Sequence, residues 1–230
     1  MPPAQSPSMP YRLAGFWRSL ATYRVRIGFR LKGLAFDETS IDLVAGEQHR
    51  DDFVRQSPQH AVPVMDLGEG RFLTQSLAIL EYLEDVAPTP SLWPDDAYQR
   101  AVARQFALIA IADSHPLIVP RVRRLLTERF NADHGAVEDW ARHWLTYGLQ
   151  AMEAHLAARQ GRSATTFCFA DRPGIADIAL ASQCKGAELF SLSLDGYPAL
   201  RSVLERCMTE PAFTETAPLA IRERSAAAST

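Results

Sequence analysis

The residues of this chain with the type and placement for chemistry gather mostly where helices begin. Ser19 lies between a β-like run and a helix start, with Thr22 just after it. A serine at such a junction accepts hydrogen bonds from the first amides of the helix, and Thr22 offers a second capping hydroxyl. Gln75-Ser76 stands before another helix. Backbone N–H groups at a helix N-terminus point outward and bind carboxylates. Arg18 and Arg121 carry guanidinium groups, which grip a carboxylate through two parallel bonds. Arg123 and Arg124 share a helix with Arg121, and a helix with several arginines presents a solvated face with one of them turned inward. Val62-Pro63 reads as a turn, Gln48 as a loop residue, and His115-Pro116 as the opening of a segment after a long helix. Asp177, near a helix start, reads as a cap.

Other chemistries are missing. The sequence has no GxxxxGK[ST], no GxSxG and no HExxH. Gly68-Glu69-Gly70 lacks the third glycine of a dinucleotide loop. The histidines (His49, His60, His115, His134, His143, His155) form no i,i+4 pair and have no cysteine near them, so no metal site is expected. Cys168, Cys184 and Cys207 form no CxxC and no even framework, which reads as reduced thiols in a cytoplasmic protein. Lys+Arg is 24 against Asp+Glu 27, and that acidic balance argues against a nucleic-acid partner. The longest apolar run, Phe106 to Ala112, is far short of the ~18 residues of a membrane span. With 47% hydrophobic and 22% charged residues the chain can bury a core. Met1–Pro10 reads as a loose leader and Arg222–Thr230 as a fraying tail.

The elements that must position these residues fall into two groups. Tyr11–Phe16 reads as a strand, Trp17–Thr22 as a turn, and Tyr23–Lys32 as a helix stopped by Gly33. Phe36–Leu43 reads as a strand and His49–Gln56 as a short charged helix or turn. Val62–Leu67 and Arg71–Leu73 flank a hairpin signal, and Ser76–Val86 reads as a helix. The order predicts a mixed four-stranded sheet with helices on its faces, the first two strands parallel and the last two antiparallel. Pro88, Pro90 and Pro94 mark a stiff linker. Beyond it Tyr98–Ser114, Arg121–Arg129, His134–Arg159, Gly174–Leu189 and Tyr197–Glu210 all read as helices. One stripe carries Val137, Trp140, Trp144, Gly148, Met152 and Leu156. The expected division is an α+β domain over 10–87, a linker over 88–97 and an all-helical domain over 98–222.

Three stretches carry a resemblance. Phe16-Trp17-Arg18-Ser19, Arg24-Val25-Arg26-Ile27 and Leu31-Lys32-Gly33 resemble the start of zeta-class glutathione transferases. Val62-Pro63, Gln75-Ser76-Leu77-Ala78-Ile79, Glu81-Tyr82-Leu83-Glu84 and Pro88-Thr89-Pro90 resemble that family's middle. Ala176-Asp177, Ala187-Glu188, Phe190 and Tyr197-Pro198 resemble its late helices. The resemblance covers nearly the whole chain in order. It implies the cytosolic glutathione transferase fold: a thioredoxin-like N-terminal domain followed by an all-α helical bundle. It also implies a homodimer, glutathione as cosubstrate, and the maleylacetoacetate or maleylpyruvate isomerase reaction of aromatic amino acid catabolism.

Residue by residue, the resemblance implies that Ser19 donates a hydrogen bond to the glutathione sulfur, with Thr22 in reserve. Lowering a thiol pKa by about 2 takes ~2.7 kcal/mol. A hydrogen bond to a charged group supplies ~1.5–3 kcal/mol and a helix end ~0.3–1, so one hydroxyl at a helix start suffices. Pro63 is implied to be cis, with the Val62 backbone pairing with the cysteinyl part. Gln75 and Ser76 would take the γ-glutamyl carboxylate, and Gln48 the glycyl end. His115 would contact glutathione, and Arg18 or Arg121 would anchor a dicarboxylic substrate. The chain also departs from the family. Ser19-Leu20-Ala21 stands where the family has Ser-Ser-Cys. Val119 and Leu189 replace an asparagine and an arginine, and Gly174 replaces a capping threonine. These changes leave two rivals open: conjugation or dehalogenation of small electrophiles, and a non-catalytic glutathione-binding protein.

Overall fold

The computed structural model describes residues 10–159 and 165–227. The chain forms two compact units, one of residues up to Leu92 together with those from Pro211 on, the other of Trp93–Glu210. The expected leader lies almost wholly outside the described residues.

In the first unit, β1 (Tyr11–Gly15) leads into α1 (Leu20–Leu31), then β2 (Phe36–Ser40). A 3-10 turn at Glu47–His49 and the one-turn α2 (Asp51–Val54) follow, then β3 (Val64–Asp66), β4 (Phe72–Thr74) and α3 (Ser76–Val86). The sheet order is β2-β1-β3-β4, with β1 parallel to β2 and antiparallel to β3, and β3 antiparallel to β4. This is the predicted mixed sheet. Helix α1 begins three residues before the expected Tyr23, because Leu20, Ala21 and Thr22 are all buried and continue the helix rather than a turn. It stops at Lys32, and Gly33 follows at φ +64°, the left-handed conformation that glycine adopts without cost.

Helices α1 and α3 pack with the sheet around Tyr11, Leu13, Val25, Phe29, Met65, Ile79 and Leu83. Gly28 permits their close approach, since a Cβ there would meet Leu80 Cδ2 at 2.2 Å. Their C-terminal ends are tied by the buried Lys32, whose ammonium pairs with Glu84 and donates to the carbonyls of Ala87 and Pro90 at 2.7 Å each. Glu84 also accepts from the Ser91 hydroxyl at 2.6 Å and the Leu92 N–H at 2.9 Å. The start of the proline-rich linker is thus fastened to the first unit.

The chain returns to this unit through α9 (Pro211–Thr214) and α10 (Pro218–Ala227). The Tyr23 hydroxyl donates to the Phe213 carbonyl at 3.0 Å, and the Arg222 guanidinium lies over the Trp17 ring at 5.2 Å. The sequence predicts a helical domain over 98–222 and a fraying tail from Arg222 on. Here residues 222–227 are helical.

The second unit contains α4 (Ala97–Leu108), α5 (Pro120–Phe130), α6 (His134–Ala157), α7 (Ile175–Leu189) and α8 (Pro198–Cys207). Helix α7 is the most enclosed, with twelve residues from Ile175 to Ala187 buried. The expected single helix Tyr98–Ser114 ends instead in a π turn at Ile109–Ser114, followed by a 3-10 turn at His115–Leu117. The cause is tertiary. Buried Ser114 donates to the Trp144 carbonyl at 2.9 Å and accepts from Gln183 Nε2 at 2.8 Å. Gly148 makes room, because a Cβ there would stand 2.5 Å from that Nε2. The helical run Ala97–Phe130 includes a window of mean hydropathy 1.2, and its Phe106, Ala107 and Ala110 are fully buried.

Candidate functional site

Ser19 sits at the head of α1 as its N-cap, with its Oγ accepting from the Thr22 N–H at 3.1 Å. The serine is half-buried. A hydroxyl has one hydrogen and two lone pairs, so this cap uses an acceptor site and leaves the hydrogen free to donate. Thr22 is placed differently. It is fully buried and its Oγ1 has no hydrogen-bond partner among the described residues. Its part at the site is the backbone N–H that orients Ser19.

The turn before α1 is braced from below. The Phe16 carbonyl accepts from the Ser19 N–H at 3.0 Å and from Arg26 Nη2 at 3.2 Å. Arg26 grips Glu38 with two bonds, Nε to Oε2 at 2.7 Å and Nη2 to Oε1 at 2.6 Å. Their side chains are 1% and 20% exposed. Gly15 is required here, since a Cβ would lie 2.4 Å from Glu38 Oε1 and 2.5 Å from Thr22 Cγ2.

The Val62-Pro63 bond is cis, as the resemblance implied. Val62 lies just outside β3, and no hydrogen bond within the described residues uses its N–H or C=O. An extended backbone can pair with such free groups as an added strand. Gln75 and Ser76 start α3. Gln75 has φ 68°, a left-handed value that costs a non-glycine residue about 1–3 kcal/mol. Its side chain does not cap the helix but bonds to Gln59 Oε1 at 2.6 Å. The first N–H groups of α3 are therefore left open. The Ser76 hydroxyl accepts from Arg24 Nε at 3.0 Å. Arg24 is 2% exposed, and burial lowers its pKa to about 9, so it stays cationic at neutral pH. Gln48 lies in the 3-10 turn. Its Nε2 donates to the Leu43 carbonyl at 3.4 Å, and its buried Oε1 has no partner among the described residues. Arg18 is exposed, with no ion pair among the described residues.

In the second unit, His115 is half-buried and opens the 3-10 turn after the π turn. On α5, Arg123 donates to the Ile118 carbonyl at 3.0 Å and Arg124 pairs with Glu128 at 3.6 Å. Arg121 is exposed and has no ion pair among the described residues. Asp177 caps α7, accepting from the N–H groups of Gly174 at 2.9 Å and Cys168 at 2.8 Å. Burial raises its pKa against the pull of those bonds. Trp140 Nε1 donates to the Leu117 carbonyl at 2.7 Å, and the Trp140 and Trp144 rings meet edge to face. All three cysteines are free and buried, and burial raises their pKa values, Cys184 to about 12. None of them is a ready nucleophile.

Arg24 and Arg26 were the functional neighbours not singled out from the sequence. A signal existed: two arginines inside an apolar helix with no acidic residue one turn away need remote partners. A cavity of about 360 Å³ lies elsewhere in the first unit, near Arg12, Glu47, Arg50, Asp52 and Asp66. Four of these charges pair, Arg12 with Asp66 at 2.7 Å and Arg50 with Asp52 at 3.0 Å, and Glu47 accepts from the Asp42 N–H at 2.6 Å. It offers a ligand little.

Residues 18–86 match the family model of the glutathione S-transferase N-terminal domain. The chain is 38% identical to maleylacetoacetate isomerase of Pseudomonas aeruginosa, over 90% of this chain and 95% of that one. It superposes with TM-score 0.87 on maleylacetoacetate isomerase of Methylobacterium extorquens bound to malonate and glutathione (38% identity; 91% and 97% of the chains). With TM-score 0.86 it superposes on a holo maleylpyruvate isomerase, a bacterial zeta-class glutathione S-transferase (37% identity; 91% and 97%). High identity over nearly the full length of both chains, added to a serine-capped first helix and a cis proline before β3, leaves one assignment: the chain belongs to the zeta class of glutathione transferases, the family of the maleylacetoacetate and maleylpyruvate isomerases.

Proposed function

We propose that the protein is a glutathione-dependent cis–trans isomerase of a maleyl-type diketo acid, maleylacetoacetate or maleylpyruvate. The observation that carries the reading is Ser19, whose oxygen is engaged by the Thr22 N–H while its hydrogen remains available at the head of α1. The residues present fit glutathione. The open amides of α3 and the Ser76 hydroxyl suit the γ-glutamyl carboxylate, the unused Val62 backbone groups suit the cysteinyl portion, and the unpartnered Gln48 Oε1 suits a donor near the glycyl end.

When bound, glutathione supplies a thiolate that adds to the conjugated double bond, lets the resulting single bond turn, and leaves unchanged. Ser19 donates to the sulfur and keeps it ionised at neutral pH. Helix α1 adds the positive end of its dipole. Arg18 or Arg121 supplies the guanidinium that orients the substrate carboxylates. Holding both reactants in register supplies much of the acceleration. Mixing the protein with glutathione and maleylacetone should shift the ultraviolet spectrum as the product forms. Bound glutathione with no turnover would remove the isomerase reading.

The same reading makes the protein a cytoplasmic homodimer acting in aromatic amino acid catabolism; its free, buried thiols suit a reducing compartment. A second reading, conjugation or dehalogenation of small electrophiles, is favoured by the closed apolar character beside Ser19. Leu20 and Ala21 are buried where the family has a hydroxyl and a thiol. Halide release from dichloroacetate with glutathione would separate the two.

A further inference from the structure

The head of α3 is backed by a charge from another helix. Arg24 projects from α1 and is 2% exposed, and its Nε–H enters one lone pair of the Ser76 oxygen at 3.0 Å. That bond fixes the sense of the hydroxyl. With an acceptor site taken by a guanidinium, Ser76 turns its hydrogen outward as a donor. The N–H groups of Ser76, Leu77 and Ala78 have no side-chain cap beside it. Behind this row of donors stands a full positive charge in a low-dielectric setting, where its field is weakly screened. Serine alone has no such bias, because in water its hydroxyl turns either way.

We propose that Arg24 is a positioning residue for the carboxylate bound at the head of α3, acting through Ser76. Arg24 touches no reacting atom. It sets the polarity of the hydroxyl and raises the positive potential at the helix end. The inference rests on the glutathione reading, in which that carboxylate belongs to the γ-glutamyl moiety. It also explains why an arginine with no acidic neighbour on its own helix is sealed inside the first unit.

The test compares two ligands that differ in that moiety. Glutathione and cysteinylglycine are titrated calorimetrically into the unaltered protein and into Arg24→Lys, Arg24→Met and Ser76→Ala, with thermal melts to confirm folding. The unaltered protein should prefer glutathione. Arg24→Met and Ser76→Ala should each weaken glutathione about tenfold or more, the size of one hydrogen bond to a charged group, and leave cysteinylglycine within about twofold. Combining them should add little, since both remove one interaction. Arg24→Lys keeps the charge but not the Nε–H, and should lie between. It carries the comparison if Arg24→Met does not fold. A purely structural role would weaken both ligands alike, and that result, or an unchanged ratio, overturns the inference. No glutathione binding by the unaltered protein overturns the reading of the site and this inference with it. Tight binding with an unchanged ratio in the Arg24 variants overturns the inference alone.

Discussion

Two helix heads of the first unit, those of α1 and α3, each begin beside a serine, and they solve the same problem in opposite ways. At α1 the serine is the cap. Ser19 sits outside the helix, takes in the Thr22 N–H, and keeps a hydrogen to give. At α3 the serine is the first helical residue and the cap position is idle. Gln75 points its side chain at Gln59 and holds a left-handed backbone. The first head takes one amide into its cap and offers one hydroxyl, which suits a single soft anion such as a sulfur. The second keeps its amides open and offers a row of donors, which suits the two oxygens of a carboxylate. The lesson is that serine at a helix start carries little information until its position relative to the cap is known.

The largest expected effect strikes the support of the first head. Glu38→Ala leaves the buried Arg26 unpaired, and breaking such a pair costs about 3–5 kcal/mol. Denaturant unfolding should show it, with loss of isomerase activity as Arg26, no longer held by Glu38, loosens its hold on the Phe16 carbonyl. A shift under 1 kcal/mol would mean the brace is dispensable. Next comes Ser19→Gly, which removes the donor yet costs the cap only a few tenths of a kcal/mol. Turnover should fall about 10²–10³-fold, as for loss of one preorganised donor. Glutathione affinity should change little. Ser19→Ala should lose the same activity and a further ~1 kcal/mol of stability. Equal stability in the two variants would deny that Ser19 is a cap.

At the second head the split reverses. Ser76→Ala should raise the glutathione KM about tenfold or more while kcat at saturation stays within about twofold. A fall in kcat alone would erase the distinction between the two heads. The smallest effect concerns the opposite ends of the same helices, joined by Lys32 and Glu84. Burial pushes Glu84 up, but the Leu92 N–H, Lys32 and Ser91 outweigh it and hold the carboxyl below its usual value. A lowered folded pKa gives stability that is complete above the unfolded value of ~4.3 and is lost as pH falls through the folded one. Thermal melts should therefore decline on that acid limb, and Glu84→Gln should flatten it.

Much of this was legible from residues alone. The helix Ser76–Val86 appears with its expected bounds, because its apolar stripe and the preceding Gln-Ser are strong local signals. Gly33 and the Gly68–Gly70 hairpin sit at positive φ, as their chemistry requires. The start of α1 escapes the sequence because its first turn is buried on every side, and periodicity is blind to a helix buried all round. The π turn before His115 depends on Gln183 and Trp144, far along the chain. The buried partners of Arg24 and Arg26 lie on other elements, Ser76 and Glu38, so only the need for a partner, and not its name, stood in the sequence.

The return of the chain to its first unit has a consequence for biosynthesis. Tyr23 and Phe213 are fully buried, and the tyrosine hydroxyl finds its acceptor 190 residues downstream. A ribosome adding ~5–20 residues per second needs on the order of ten seconds between releasing Leu92 and releasing Phe213. During that interval the emerging α1 lacks the cover that α9 later provides, and the Tyr23 hydroxyl lacks the Phe213 carbonyl. Vectorial folding of this protein therefore cannot finish its first half before its last helices arrive.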